Sequence, residues 1–311
     1  MALSVEDRRI RALRTPKAAV DPGRPLGVLV EEERRLAGPE RALTVFLAGA
    51  ECPFTCIFCD LWRQTLDVPT PPGALPAQLR TALGTASPGI QRVKLYNASN
   101  FFDPRAVPPE DLAELARLLI PFEAVTVESH ARTVGRRCRD FADRLTGRLE
   151  VAIGLETAHP EALPRLNKQM DLSDFDRAAR FLREHGMDLR AFVLVGAPFI
   201  PPAESVRWAI RSVEHALAQG AAAVALIPAR GGNGAMEQLA AEGWFTPPAL
   251  TDLELALEGS LGLGGVVTAD LWDADRLVGC PACRTARLER IQRMNATGRA
   301  GPTVQCPECA P

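Results

Sequence analysis

Three cysteines fall within eight residues of this chain, Cys52, Cys56 and Cys59, in the stretch TVFLAGAECPFTCIFCDLW that begins at Thr44. Three thiols cannot close a disulfide set among themselves, and they are one ligand short of a four-thiolate zinc site. They do suit a 4Fe–4S cluster in which one iron has no protein ligand and stays open to bind and reduce something. A second set lies near the other end. Cys280-Pro-Ala-Cys283 and Cys306-Pro-Glu-Cys309 are paired knuckles separated by 22 residues. Four thiolates in that pattern suit a structural zinc ion, with an auxiliary iron–sulfur cluster as the alternative. The eighth cysteine, Cys138, stands alone in VGRRCRDFADRL and reads as a small buried apolar residue.

The elements that must position the first set are legible as an alternation. Apolar strands are expected at 42–48, 91–96, 122–128, 149–156, 188–196 and 221–227. Amphipathic helices are expected between them, at about 75–86, 109–119, 133–146, 172–185, 203–219 and 234–243. Strands alternating with helices imply a parallel sheet closed by right-handed crossovers. The reading is therefore α/β, with six strand–helix units in a partial (βα)6 barrel over residues 41–250. Residues 1–40 read as a polar, helical extension in which EEERRLAGPER forms a solvated helix face. After about residue 250 the alternation fades, and residues 251–311 hold a strand at 265–272 and the cysteine knuckles.

In a parallel barrel the chemistry sits at the carboxyl ends of the strands. The first strand delivers Cys52, Cys56 and Cys59. The second ends in Tyr96-Asn97-Ala98-Ser99, and the third in Glu128-Ser129-His130. Glu128 either caps the next helix or contacts a ligand, and His130 is a candidate acid or base. The fourth gives IGLETAHPEALPRLNKQMDLSDF, with Glu156 and Lys168. The sixth leads to Arg230 and a GGNG turn at 231–234.

The spacing Cys-x3-Cys-x2-Cys, with Phe58 just before the third cysteine, resembles the signature of radical S-adenosylmethionine (radical SAM) enzymes. The stretch from Gly154 to Phe175 resembles a subgroup that includes the archaeosine-synthase radical SAM subunit and the Elongator catalytic subunit. The proline-rich run after Trp244 and the cysteine tail favour the archaeosine type. The resemblance implies a partial TIM-type barrel, a 4Fe–4S cluster on the three cysteines and SAM on the open iron. Phe58, Asn97, Ser99, Glu128, Glu156 and Lys168 would then lie around SAM, with Asn97 and Ser99 standing where this family often has Gly-Gly-Glu. It implies reductive cleavage of SAM, hydrogen abstraction, and an electron donor such as flavodoxin or ferredoxin. The archaeosine likeness implies carbon–nitrogen bond cleavage on a modified base in tRNA, with Arg230 gripping an anionic group. Val195-Gly196-Ala197-Pro198-Phe199 departs from that subgroup, which has Lys-Pro-Pro-Phe-Leu there, and so keeps a small-molecule or free-nucleoside substrate open. A zinc-ribbon RNA-binding protein with an inactive barrel is the alternative from another class.

Composition narrows the setting. The net charge of −2 gives no global attraction to nucleic acid, although a local basic face is possible at Arg284, Arg287, Arg290 and Arg293. That run is either a solvated helix or a phosphate-binding one. Lysine occurs only at Lys17, Lys94 and Lys168, so arginine is the default cation. No apolar run reaches the roughly 18–20 residues that cross a bilayer. The charged start MALSVEDRRIRALR has no signal-peptide core. A cytoplasmic location follows as the expectation, where cysteine clusters usually mean metal.

Overall fold

The computed structural model describes residues 4–309. Helix α1 (Val5–Ala12) begins at a reciprocal cap: the Asp7 N–H donates to Ser4 Oγ, and the Ser4 N–H donates to Asp7 Oδ2. Strand β1 (Gly27–Arg35) then turns back along β2 (Gly38–Phe46). From there strand and helix alternate. Helix α2 (Ala74–Thr85) leads to β3 (Arg92–Tyr96), α3 (Asp111–Leu119) to β4 (Ala124–Ser129), and α4 (Arg136–Ala142) to β5 (Arg148–Glu156). The short α5 (Ala162–Arg165) and the longer α6 (Leu172–Glu184) precede β6 (Asp188–Val195). Helix α7 (Pro202–Ala218) leads to β7 (Ala221–Pro228), and α8 (Ala235–Ala241) with α9 (Leu250–Ser260) to β8 (Val266–Ala269). Helix α10 (Arg284–Thr297) follows the first cysteine knuckle.

The eight strands lie side by side in chain order, antiparallel between β1 and β2 and parallel from β2 to β8. The sheet curls into a nearly closed TIM-type barrel. Among the described residues no ladder joins β8 to β1. Arg34 of β1 spans that seam instead, donating from Nη2 to the Val267 carbonyl (2.8 Å) and from Nε to the Asn295 carbonyl of α10 (2.9 Å).

Two expectations need correction here. The solvated helix expected over EEERRLAGPER is strand, because its alternate carboxylates have cationic partners inside the barrel and tertiary pairing overrides helix propensity. Of residues 1–40, only α1 is helical among those described. The alternation also continues past residue 250, since α9 carries the chain to β8 as a seventh parallel strand.

Outward-facing Leu43, Val45, Val93, Leu95, Val125 and Val127 pack under the helices, with Leu75, Leu79, Leu115 and Leu119 covering them. Cys138 joins this layer, fully buried against Met187. The inward face of the amino-terminal half is charged. Glu150, fully buried, accepts from Arg190 Nε (2.9 Å), Thr126 Oγ1 (3.0 Å) and Arg35, with Arg92 3.6 Å away. Lys94 pairs with Glu31 (2.9 Å) and Glu33 (2.8 Å), and Arg92 with Glu40 (2.8 Å). Against the cost of burial, Arg190, Arg35 and Arg92 hold the Glu150 carboxyl well below the usual carboxylate range. Four acids and four bases (Glu31, Glu33, Glu40, Glu150; Arg35, Arg92, Lys94, Arg190) thus plug one end of the barrel. The open end is the carboxyl end of the strands.

Candidate active site

The cysteine loop leaves β2 under firm restraint. Gln78 of α2 bonds both backbone groups of Ala48, accepting at 2.8 Å and donating at 3.0 Å, and Thr70 Oγ1 accepts from the Ala50 N–H at 2.8 Å. The loop folds back on itself where the Leu66 N–H reaches the Gly49 carbonyl (2.8 Å). Space at Gly49 is tight, since a Cβ would lie 3.3 Å from the Ala106 carbonyl and from Thr70 Oγ1 and would push them by a few tenths of an ångström. Asn233, in the GGNG turn before α8, is buried and donates to the carbonyls of Ile57 (2.8 Å) and Cys59 (3.2 Å).

Cys52, Cys56 and Cys59 are half-buried at the carboxyl end of β2. Burial pushes all three thiols up to about 12. Their sulfurs do not gather within 4.8 Å of one another as a single-ion site requires. Three thiolates are the donor set of a 4Fe–4S cluster with one open iron, and the chemistry of these residues fits such a cluster. Asn100 Nδ2 lies 3.1 Å from Cys52 Sγ. Lys168 is buried nearby, its Nζ 2.7 Å from Glu156 Oε1 and 5.9 Å from the centre of the Phe58 ring. Despite the opposing cost of burial, Glu156 and then Cys56 raise the Lys168 ammonium above its ordinary range. The ion pair needs Gly154, because a Cβ there would collide with the Glu156 carboxylate. Glu156 itself has φ of +65°, a left-handed conformation that costs a non-glycine residue about 1–2 kcal/mol.

The strongest mark of a ligand site lies at the ends of β3 and β4. Asn97 is fully buried, yet neither Oδ1 nor Nδ2 has a partner; Ser99 Oγ and Glu128 Oε1 are also buried without one. Each orphan of this kind costs about 1–3 kcal/mol. Burial pushes the Glu128 carboxyl up to about 7, against the pull of the Asn97, Ala98 and Ser99 backbone N–H groups. These donors and acceptors fit a small zwitterionic ligand beside the three thiols.

His130 and Arg230 lie at the strand ends and are engaged with protein partners. His130 is buried and stacked on Phe54 (3.8 Å between centroids). Its Nδ1 accepts from the Arg132 N–H (3.1 Å), which leaves Nε2 as donor to the Lys168 carbonyl (2.8 Å). Burial first, then Lys168, lower its pKa to about 3, so it is neutral and both ring nitrogens are committed. It supports the Lys168 turn, and no nitrogen is free to move a proton. The Arg230 guanidinium already holds two carboxylates, Asp273 and, at 3.4 Å, Asp60 beside Cys59.

The C-terminal cysteines form a separate group, with all four sulfurs within 4.8 Å of one another. Cys280 and Cys306 are 3.9 Å apart, Cys283 and Cys309 3.6 Å. Three of the four arginines of α10 serve the protein itself, while Arg293 is exposed. Arg284 caps the carbonyls of Ala274, Asp275 and Leu277; Arg287 bonds Cys283 Sγ (3.2 Å) and Glu254; buried Arg290 holds Glu254 (2.9 Å) and Glu258 (2.9 Å) of α9.

Sequence reasoning missed Asp7, Asn100, Asn167 and Asn233, which hold the cysteine loop or the turn around Lys168. The asparagine inside GGNG was a legible signal, a polar residue in a turn with no other use. Asn167 lies inside the Gly154–Phe175 stretch without being singled out there, and Asp7 and Asn100 gave no signal.

No family model matches the chain. An uncharacterized protein of Methanocaldococcus jannaschii is 23% identical over 164 residues, 51% of this chain and 45% of that protein. The chain therefore spans under half the length of the curated relative it matches. Among solved structures, the archaeal Elp3 of Methanocaldococcus infernus, with an N-terminal deletion, aligns with a TM-score of 0.52 at 11% identity, covering 70% of this chain and 57% of that one. A radical SAM methyltransferase from Sphaerobacter thermophilus aligns with a TM-score of 0.52 at 16% identity, covering 86% of this chain and 82% of that one. The fold of this chain is the fold of those proteins.

Proposed function

We propose that this chain is a radical SAM enzyme, with Cys52, Cys56 and Cys59 holding a 4Fe–4S cluster. One observation carries the reading: buried side-chain atoms of Asn97, Ser99 and Glu128 that have no partner, beside three half-buried thiols, at the strand ends of a barrel. When bound, the cluster and SAM supply the electron and the 5′-deoxyadenosyl radical that abstracts hydrogen. The chain supplies the rest. Asn97 and Ser99 offer unspent donors and acceptors to the amino acid part of SAM, and Glu128 offers a carboxylate to its ammonium. Phe58, Lys168 and Glu156 complete the wall beside the cysteines. An electron donor of the flavodoxin or ferredoxin kind is required. The reading places the protein in the cytoplasm, where thiols stay reduced. Among the described residues no helix is long and apolar enough to cross a membrane. Anaerobic reconstitution tests it: iron–sulfur absorbance and 5′-deoxyadenosine from SAM and dithionite are expected. Absence of both would leave only the reading of an inactive barrel on a zinc-ribbon binding protein.

For substrate the reading follows the sequence resemblance of residues 154–175, to a modified nucleobase in tRNA. A small molecule or free nucleoside is the second reading, favoured by one observation: Arg284, Arg287 and Arg290 are spent on protein partners and not on a phosphate face. Co-purification of RNA at low salt, with loss as salt rises, supports tRNA. RNA binding that is absent or indifferent to salt supports the small molecule.

For Cys280, Cys283, Cys306 and Cys309 the ion we propose is a single zinc. Zinc–sulfur bonds of about 2.3 Å in a tetrahedron put sulfurs about 3.8 Å apart. The separations of 3.6 and 3.9 Å match that edge. A cubane would interpose iron and sulfide between them. The Arg287 N–H to Cys283 also offsets thiolate charge. Elemental analysis should return one zinc per chain that Cys280→Ser removes. Iron in its place would make the site an auxiliary cluster.

A further inference from the structure

The segment from Ser4 to Lys17 lies outside the barrel, yet it grips the cysteine loop at two points. Asp7 is 5% exposed, and its two carboxylate oxygens do different work. Oδ2 completes the helix cap on the Ser4 N–H. Oδ1 plays no part in the cap; it accepts from Thr55 Oγ1, from Asn167 Nδ2 (3.1 Å) and from Gln169 Nε2 (3.4 Å). Thr55 immediately precedes Cys56. Asn167 and Gln169 flank Lys168, and both are left-handed, with φ of +50° and +58°. Asn167 Nδ2 also reaches the Thr55 carbonyl and hydroxyl, each at 2.9 Å.

The second grip is on Glu51, immediately before Cys52. Arg14 Nη1 lies 2.7 Å from its carboxylate, Arg11 Nη2 3.6 Å and Lys17 Nζ 3.8 Å. Between the two grips Ile10 is buried with Ile57, Leu166 and Leu239. The seat is tight, since a Cβ on Gly234 would overlap the Leu13 carbonyl.

We propose that Asp7 is a positioning residue for the cluster-ligand loop, and that the N-terminal segment is a clasp that holds Cys52, Cys56 and Lys168 in place from outside. The proposal rests on the radical SAM reading for what the loop ligates. A residue carrying only the helix cap would need one oxygen. Asp7 spends the other on both sides of the site, on the loop bearing the thiols and on the strained turn bearing Lys168.

The test uses the full chain, first without metal. Anaerobic alkylation with iodoacetamide, followed cysteine by cysteine by mass spectrometry, reads how firmly the loop is held. Asp7→Ala should speed alkylation of Cys52 and Cys56 about tenfold or more, the weight of one lost charge-assisted hydrogen bond. Asp7→Asn, which keeps an acceptor oxygen, should fall between it and the unaltered chain. Buried Cys138 should not change, and Ser4→Ala, which damages the cap alone, should behave as the unaltered chain does. In the reconstituted protein Asp7→Ala should lose iron to a chelator faster. Unchanged alkylation in Asp7→Ala would overturn the proposal. So would a parallel rise at Cys138, or equal effects from Ser4→Ala, since each makes the role fold-wide or confined to the cap. If the unaltered chain assembles no cluster, the radical SAM reading fails by itself, while the alkylation rates still report on Asp7.

Discussion

Glu128 is the residue whose state should govern ligand binding near neutral pH. With its carboxyl pushed up to about 7 by burial, about half of it is protonated at that pH. An ammonium ligand prefers the carboxylate, so SAM affinity should weaken as pH falls below about 7. Glu128→Gln should bind SAM weakly at every pH and flatten the profile; isothermal titration between pH 6 and 8 checks both. The sign for stability is the reverse. A carboxyl raised in the folded state favours folding at low pH, and that contribution is lost as pH rises from the ordinary 4.5 to about 7. Glu156 and Lys168 make a second prediction at this scale. Removing one partner strands a buried charge, so Glu156→Ala should cost about 3–5 kcal/mol in denaturant unfolding. The double variant with Lys168→Met should recover part of that loss. Additive losses would show that the pair does not act as a unit.

At the scale of elements, β1 shows where reading from sequence stops. Six of the seven parallel strands, each with a helix after it, are legible because apolar runs alternate with amphipathic ones. The run Glu31–Arg35 has the composition of an exposed helix, and nothing local says that Lys94 and Arg190 wait inside the barrel for Glu31 and Glu33. Long-range charge pairing leaves no periodic trace. The same holds for α10, whose arginine spacing suggests phosphate but whose partners are Glu254 and Glu258, some 30 residues earlier in the chain. Glu150 holds the interior network together, and its depressed pKa keeps that contribution intact at neutral pH and above 4.5, with loss only in strong acid. Glu150→Gln should therefore destabilise the barrel by about 3–5 kcal/mol at pH 7, measured by urea unfolding. A cost near zero would mean that the barrel tolerates unpaired cations inside.

At the scale of the molecule, the two cysteine sets divide the work. The closely gathered C-terminal four lie in a knuckle joined by α10 to α9, β8 and β1, across the seam that Arg34 bridges. The wider three lie at the open end of the barrel, opposite the charged plug. The cysteine sets and the strand-end residues can be picked out of the sequence as candidates, because motifs of that kind are local. What holds them was not legible, because Asp7, Asn100 and Asn233 reach the cysteine loop from distant parts of the chain. The central claim is that SAM binds at an open iron on Cys52, Cys56 and Cys59. Electron paramagnetic resonance of the anaerobically reconstituted, dithionite-reduced protein tests it most directly. The account predicts a reduced 4Fe–4S signal that changes on adding SAM and is missing from Cys56→Ala. A signal indifferent to SAM, or one that survives in Cys56→Ala, would contradict it.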